Sequence, residues 1–543
     1  MTARSDYVVD FPTLWVTPYW IERHCVKPDG FRRGAPLELY DWQLWSTVNH
    51  YRVKQTAVWR PDNPVLGPAF FYRRSQVVAP QKTGKGPWSA TICANEAVGP
   101  ALFAGWSTGE GEVYDCREHG CPCGWVYEYR DGEPMGMRWP TPLIQITAFS
   151  QEQTDNVYRP LQNMIRLGPL ADLMKVGEEF IRIGDEGRID VVTSSALSRL
   201  GNPVTFPLQD ETGIWTIANK MNNVATTQRR GAAGMGGRSM ETTNMWNPSE
   251  DSVGQRTHEA AAKDIFRFLR RKPLHLSYKN KADRRKIHKY VYAGSLHVDL
   301  DSIEAEAAEL LEKEPENAER FFGNGEVYGS GAYMEADKWD FREDQRPVPK
   351  GTAIVLGFDG SDVDDWTAIR AQTESGYQFT PRFGPDKLPA IWNPADHSGQ
   401  VPRTEVGAAI EEIFEFFTVV RGYFDPPDWK TEIDGWAKRF GEKRIIRFET
   451  YRLHQMHAAC VRLYADVTKQ DTTFSHDGCP ITATHVRNAR KLARTGGTYV
   501  LGKPARHMKI DSCVTSVLCN EAAGDVTAAK LWPKARRKLI VMR

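Results

Sequence analysis

At 543 residues the chain has room for three or four structural units of about 150 residues each, which excludes a small single-core binding module. Its 70 Lys and Arg balance 69 Asp and Glu to a net charge of +1, so no overall field points to nucleic acid or membrane, and DNA would have to be held by local patches. A composition of 41% hydrophobic and 26% charged residues with 17 tryptophans belongs to a globular protein, not to a disordered or fibrous one. The opening MTARSDYVVDFPTLW lacks the core of a signal peptide and no apolar run of about 18 residues follows, so the expectation is a soluble intracellular protein. Nine scattered cysteines in that setting predict free thiols.

In chain order, apolar strands are predicted at SQVVAP (75–80), TPLIQITAFS (141–150), RIDVVTSS (188–195) and PVTFPLQDE (203–211), alternating with helical patterns. That alternation argues for an α/β fold with a parallel sheet, whose ligand sites lie where strands end. Residues 222–254 are rich in Gly, Asn, Thr and Ser; HEAAAKDIFRFLRRK (258–272) then reads as a helix, and a second, acidic helix covers 301–322. A further α/β unit begins at the strand GTAIVLGFDGS (351–361) and continues through a second strand at 364–376. A helix at 404–420, a short strand at RGYFDPPDW (421–429), a basic helix at 484–497 and a helix at 509–523 follow.

VVAPQKTGKGPWSA (77–90) follows a strand and resembles a phosphate-binding loop, in which glycines let backbone N–H groups face phosphates and a lysine at the helix start neutralises their charge. Gly84 and Lys85 form the central pair. Ala79 stands at the first position of the pattern, and Gly86 at the last, where a Ser or Thr hydroxyl ordinarily binds Mg²⁺; Thr83 or Ser89 are the candidate substitutes. At the tip of 203–211, Asp210 suits Mg²⁺ binding and Glu211 suits polarising a water. Gln43, beside Trp42, reads either as an adenine contact or as part of an amphipathic helix that buries the tryptophan. Asp359 and Asp425 end strands and Asp511 opens a helix; three such acids, if they meet, can hold two divalent ions roughly 3.5–4 Å apart for phosphodiester cleavage.

In YDCREHGCPCGWVY (114–127), Cys116, His119, Cys121 and Cys123 supply four candidate ligands for a structural Zn²⁺, against the alternative of reduced thiols in a hairpin. Between Lys263 and Lys289 eleven Lys and Arg face only Asp264 and Asp283, either a phosphate-contacting patch or a solvated helix face. Lys534, Arg536, Arg537 and Lys538 in the basic tail bind DNA, a protein partner, or neither.

Taken in order, APQKTGKG, ITAFSQEQTDNVY (146–158), SRLGNPVTFPLQDETGIW (198–215), SMETTNMWNPSEDSVGQ (239–255), RFFGN (320–324), VLGFDGS, GYFDPPDW, FSHDGCPITATHVRNA (474–489) and KIDSCVTSVLCNEAA make the chain resemble the large terminase subunit of tailed double-stranded DNA phages, from about Leu39 to Ala523. The resemblance implies a P-loop ATPase of the ASCE type over 1–255, a connector over 256–345, an RNase H-like nuclease over 346–525 and a basic tail over 526–543. It implies ATP as cofactor, with Lys85 and Lys82 on the phosphates within the loop Gln81–Gly86, Asp210 on Mg²⁺ and Glu211 as catalytic base. Thr243 and Asn244 match the segment coupling hydrolysis to movement, and Arg199 the position of an arginine finger acting on a neighbouring subunit. Asp359, Asp425 and Asp511 match the nuclease acids, with Mg²⁺ or Mn²⁺. Many members carry Arg where this chain has Gln81 and Lys82. Double-stranded DNA, the portal protein of the procapsid, the small terminase subunit and a ring of five copies are the implied partners, in the host cytoplasm with no membrane role. The rival expectations are a P-loop translocase with a non-cleaving DNA-binding domain, and a DNA-binding structural protein with an inactive nucleotide site.

Overall fold

A computed structural model describes residues 9–60, 67–177, 180–193, 203–273, 275–327, 331–494 and 497–533. The chain divides into two compact units, Met1–Val327 and Tyr328–Arg543. Among the described residues no helix is long and apolar enough to cross a membrane.

The first unit is built on β1 (Arg74–Val78), β2 (Leu143–Thr147), β3 (Met174–Val176), β4 (Phe180–Ile183), β5 (Gly187–Val192), β6 (Phe206–Asp210), β7 (Ser239–Thr243) and β8 (Ile265–Leu269). They form one sheet in the order β8-β1-β7-β6-β2-β5-β4-β3. It is parallel from β8 to β5 and antiparallel beyond. One strand, β7, lies between the loop strand β1 and the strand β6 that ends in Asp210, the order expected of an ASCE-type ATPase sheet. Strands of this kind are buried on both faces and read as apolar runs, which is why β1, β2, β5 and β6 were legible. Strand β7, SMETT, is equally buried but polar. Its Glu241 accepts from Gln76 at 2.7 Å and from Arg229 at 2.6 Å. Arg229 also donates to Gln209, and Gln228 links Gln209 to Gln145 and Thr147. This polar network replaces apolar packing between the sheet and the helix Met221–Gly234.

Residues 222–254, rich in Gly, Asn, Thr and Ser, contain nearly all of the Met221–Gly234 helix, strand β7 and the start of the helix Val253–Glu259. The helix expected at 258–272 is not formed: Ile265–Leu269 within it is strand β8, paired in parallel with β1. Residues from 256 to Val327, expected as a connector, belong to the first unit and carry its helices Lys281–Val291, Leu300–Lys313 and Pro315–Gly323. The eleven basic residues therefore do not share one helix face. Several are spent internally: Arg284 pairs with Glu304 at 2.7 Å in the interior, Lys272 with Glu319 and Arg271 with Glu326.

The second unit holds β9 (Ala353–Asp359), β10 (Thr367–Thr373), β11 (Tyr377–Phe379), β12 (Thr418–Phe424), β13 (Ile445–Arg447) and β14 (Ser475–His476) in the order β13-β12-β9-β10-β11-β14. β9, β10 and β11 are successive antiparallel neighbours, while β12 and β13 join the other edge of β9 in parallel. That mixed sheet is the RNase H-like arrangement. The helix Asp511–Ala528 crosses it so closely that a Cβ on Gly357 would lie 2.2 Å from the carbonyl oxygen of Thr515. The basic helix expected at 484–497 ends at Asn488; Arg490–Ala493 is a strand, hairpinned to Tyr499–Gly502.

Candidate functional site

The loop after β1 turns into the helix Lys85–Val98, whose N-cap Gly84 has φ +94, a conformation that favours glycine. Lys85 is 7% exposed and its ammonium makes three bonds, to the carbonyls of Ala79 (2.6 Å) and Pro80 (2.8 Å) and to Asn244 Oδ1 (2.9 Å). Burial lowers its pKa, with Glu211 and Asp210 opposing that shift. The side chain is thus held at the base of the loop by partners that a phosphate can replace. Gly86 has a different cause. A Cβ there would lie 2.3 Å from the carbonyl oxygen of Asn156 in the helix Gln151–Leu167, so the position that usually carries a hydroxyl has no room for any side chain. Neither expected substitute faces the cleft: Thr83 donates to the carbonyl of Pro80 at 3.0 Å, and Ser89 is fully buried in its helix.

Asp210 ends β6, buried, with Thr242 on the adjacent β7 donating to it. Burial and then the neighbouring Glu211 push its pKa up to about 7. Glu211 follows with φ +57 and ψ +41, a left-handed conformation that costs a non-glycine residue on the order of 1–2 kcal/mol. Strain of that kind persists where the surrounding structure holds it, and it is concentrated at functional sites. Asn244, just past β7, joins the set: its amide donates to Glu211 at 3.3 Å while its oxygen accepts from Lys85. Thr243 accepts from the backbone N–H of Gly213 at 2.8 Å and fixes the turn that carries Glu211. The structure therefore brings together Lys85, Asp210, Glu211, Thr243 and Asn244.

Of these, Lys85, Asp210 and Glu211 open onto a cleft of about 540 Å³ that Gln81, Lys82, Asn156, His297 and Asp299 also line. Gln43 supports the loop from behind. Its amide oxygen accepts from the N–H of Tyr40 at 2.9 Å and its nitrogen reaches the Gly84 carbonyl at 3.4 Å, so both ends are engaged within the protein, and Trp42 beside it is buried. Of the two readings of Gln43, the helix that buries Trp42 is what these contacts describe. His297 went unnoticed in the sequence because it lies some two hundred residues beyond the loop; it meets the carbonyl of Lys82 at 3.0 Å and stacks on Tyr40. Arg320 was likewise missed. It donates to the carbonyls of Met245 and Gly213, and its charge lies within the field of Glu211. Arg199 and the tail residues Lys534, Arg536, Arg537 and Lys538 lie outside the described residues.

In the second unit, the parallel pairing of β9 with β12 sets Asp359 and Asp425 at neighbouring strand ends, where the Asp425 N–H donates to the Phe358 carbonyl at 3.0 Å. Asp511 opens the helix that crosses β9. Burial, then Asp511, Asp425 and Asp365, raise the pKa of Asp359 well above the usual carboxylate range. Burial and Asp365 push Asp511 up to about 6. Asp425 is raised by burial, although Thr450 donates to it from its hydroxyl at 2.6 Å and its N–H at 3.2 Å. Asp511 keeps a buried oxygen, Oδ2, with no hydrogen-bond partner. Mutually repelling carboxyls with an orphaned oxygen are a donor set that fits divalent cations. Asp365, an acid missing from the sequence-based set, is bonded to Lys503 and to Lys509 (2.9 Å).

The cysteine cluster is corrected in one ligand. Cys116, Cys121 and Cys123 converge, but the imidazole that joins them is His24, from the end of the helix Val16–His24, not His119. His119 stacks on Tyr114 instead, with ring centroids 4.3 Å apart.

No family model matches the chain. The "Gene 13 protein" of Mycobacterium phage L5 is 24% identical over 526 residues, covering 87% of this chain and 83% of that protein. The crystal structure of the HK97 bacteriophage large terminase is 17% identical with a TM-score of 0.44, covering 93% of this chain and 98% of that one. A large terminase from the thermophilic bacteriophage D6E, solved with ADP, is 11% identical with a TM-score of 0.31 over 88% of this chain and 98% of its own. Over most of its length, this α/β chain resembles the large terminases of bacteriophages.

Proposed function

We propose that the chain is a bacteriophage large terminase subunit, in which ATP hydrolysis by the first unit drives double-stranded DNA into a procapsid and the second unit cuts that DNA. The observation that carries this reading is the hydrogen-bonded line Lys85–Asn244–Glu211 beside Asp210, at the strand ends of a parallel sheet with β7 between the loop strand and the acidic strand. Lys85 and Lys82 receive the phosphates, Asp210 faces the nucleotide's Mg²⁺, and Glu211 accepts a proton from the attacking water. Asn244 touches both the phosphate-binding lysine and that base, so loss of the γ-phosphate alters one side chain that both share. This is a physical basis for coupling hydrolysis to movement, and Arg199 is the candidate to act on a neighbouring copy.

In the second unit Asp359, Asp425 and Asp511 hold Mg²⁺ or Mn²⁺. Bound there, the ions supply the charge that activates water and stabilises the leaving oxygen. Thr450 orients Asp425, and the Lys503 and Lys509 pair offsets the negative charge beside the acids. The portal protein, the small terminase subunit and a ring of five copies, in the host cytoplasm, complete the proposal. The test is separation of function in the full chain: Glu211→Ala abolishes ATP turnover and leaves metal-dependent plasmid nicking, whereas Asp359→Ala does the reverse. Nicking that survives Asp359→Ala removes the nuclease assignment, and ATP turnover that survives Glu211→Ala removes the ATPase assignment.

A further inference from the structure

We infer that His24, Cys116, Cys121 and Cys123 form a structural Zn²⁺ site that ties the helix Val16–His24 to the hairpin inserted between the strands Leu102–Trp106 and Pro134–Met137. The four candidate ligand atoms all lie within 4.8 Å of one another. His24 Nε2 is 3.3 Å from Cys116 Sγ and 3.3 Å from Cys123 Sγ. A tetrahedral zinc with Zn–S of about 2.3 Å and Zn–N of about 2.0 Å sets its ligand atoms about 3.5 Å apart, so only a small adjustment is needed.

The imidazole is prepared for such a role. Its Nδ1 is 2.9 Å from the Trp20 carbonyl, so Nδ1–H donates there and leaves Nε2, the atom facing the sulfurs, with its lone pair free. Trp20 stacks on the same ring at 4.5 Å and Trp125 meets it edge-on, which fixes its orientation. On the hairpin, the N–H of Cys121 donates to the Cys116 carbonyl and the N–H of Cys116 to that of Trp125, curling the backbone around the sulfurs. Three thiolates and one imidazole are a soft set suited to Zn²⁺, and four protein ligands leave no open position for catalysis.

The hairpin also needs such a cross-link. Its strands, Val113–Asp115 and Val126–Glu128, are three residues each, and a short two-stranded hairpin is marginal by itself in water. The site closes a loop of 92 residues between His24 and Cys116 and fastens the insert to the body of the first unit. None of this depends on the nucleotide or carboxylate sites, and its test reads metal content, not activity.

The full chain, purified in reducing buffer without chelator, is expected to carry about one zinc per molecule by elemental analysis, released in full when a mercurial reagent titrates three thiols. Cobalt introduced in place of zinc is expected to give the thiolate charge-transfer and d–d bands of a tetrahedral S₃N site. His24→Ala and Cys121→Ser lose the metal, while His119→Ala keeps it. Should the variants prove insoluble, the zinc and cobalt measurements on the unaltered chain decide. A chain that holds neither metal, or metal lost from His119→Ala but retained by His24→Ala, overturns the assignment.

Discussion

Replacing Gly86 with serine would restore the hydroxyl that a phosphate-binding loop ordinarily carries, yet the structure requires that the change do harm. The new Cβ would fall 2.3 Å from the Asn156 carbonyl oxygen and 3.1 Å from its carbon, about 1 Å inside ordinary contact, so the helix Gln151–Leu167 and the loop must move apart. Overpacking of this size costs about 1–3 kcal/mol. Removing a glycine from a helix returns at most about 1 kcal/mol, and less for alanine's polar replacements. The balance is a loss of up to about 3 kcal/mol, worth a few degrees of melting temperature. The displacement falls beside Lys85, whose three bonds depend on the loop's position, so ATP turnover is expected to drop at least tenfold in Gly86→Ser and Gly86→Ala alike. Because the clash is with backbone, adding Asn156→Ala rescues neither. Steady-state ATPase rates and thermal melts of the single and double variants check this. A Gly86→Ser chain as stable and as active as the parent, or rescue by Asn156→Ala, would refute the packing argument.

Two further outcomes follow from buried carboxyls. Asp210 has its pKa pushed up to about 7, above the value near 4 of an unfolded aspartate, so its contribution to stability is intact below about pH 4 and is lost as pH rises through about 7. Asp210→Asn, measured without nucleotide, is therefore expected to melt like the parent near pH 4 and higher than it at pH 8; parallel melting curves across that range would contradict the burial argument. Thr450→Val removes the 2.6 Å bond that orients Asp425 while leaving the backbone bond, and the metal concentration for half-maximal cleavage is expected to rise about tenfold with ATP turnover unchanged. An unaltered metal titration would show that Thr450 orients nothing.

Local chemistry in the chain was enough to locate strands β1, β2, β5, β6 and β9 and the acids at the tips of β6 and β9, because buried parallel strands are apolar runs and their ends turn polar. The same signal was misleading where burial was met by hydrogen bonds. Strand β7 is buried yet polar, held by Gln76 and Arg229, and for that reason no strand was expected there. At 258–272 a helix was expected, yet Ile265–Leu269 within it forms the edge strand β8.

What pattern alone determined is the inventory: a lysine at a loop, two acids at a strand tip, three acids at element ends and three crowded cysteines. Which of these meet was decided by the order of strands and the crossings of helices, because a contact between residues a hundred positions apart leaves no mark on local periodicity. Inserting β7 between β1 and β6 is what sets Asn244 between Lys85 and Glu211. Close approach of a helix is what forbids a side chain at Gly86, an omission that in sequence reads only as a departure. And the packing of the Val16–His24 helix is what brings His24, in place of the nearer His119, to the sulfurs of Cys116, Cys121 and Cys123.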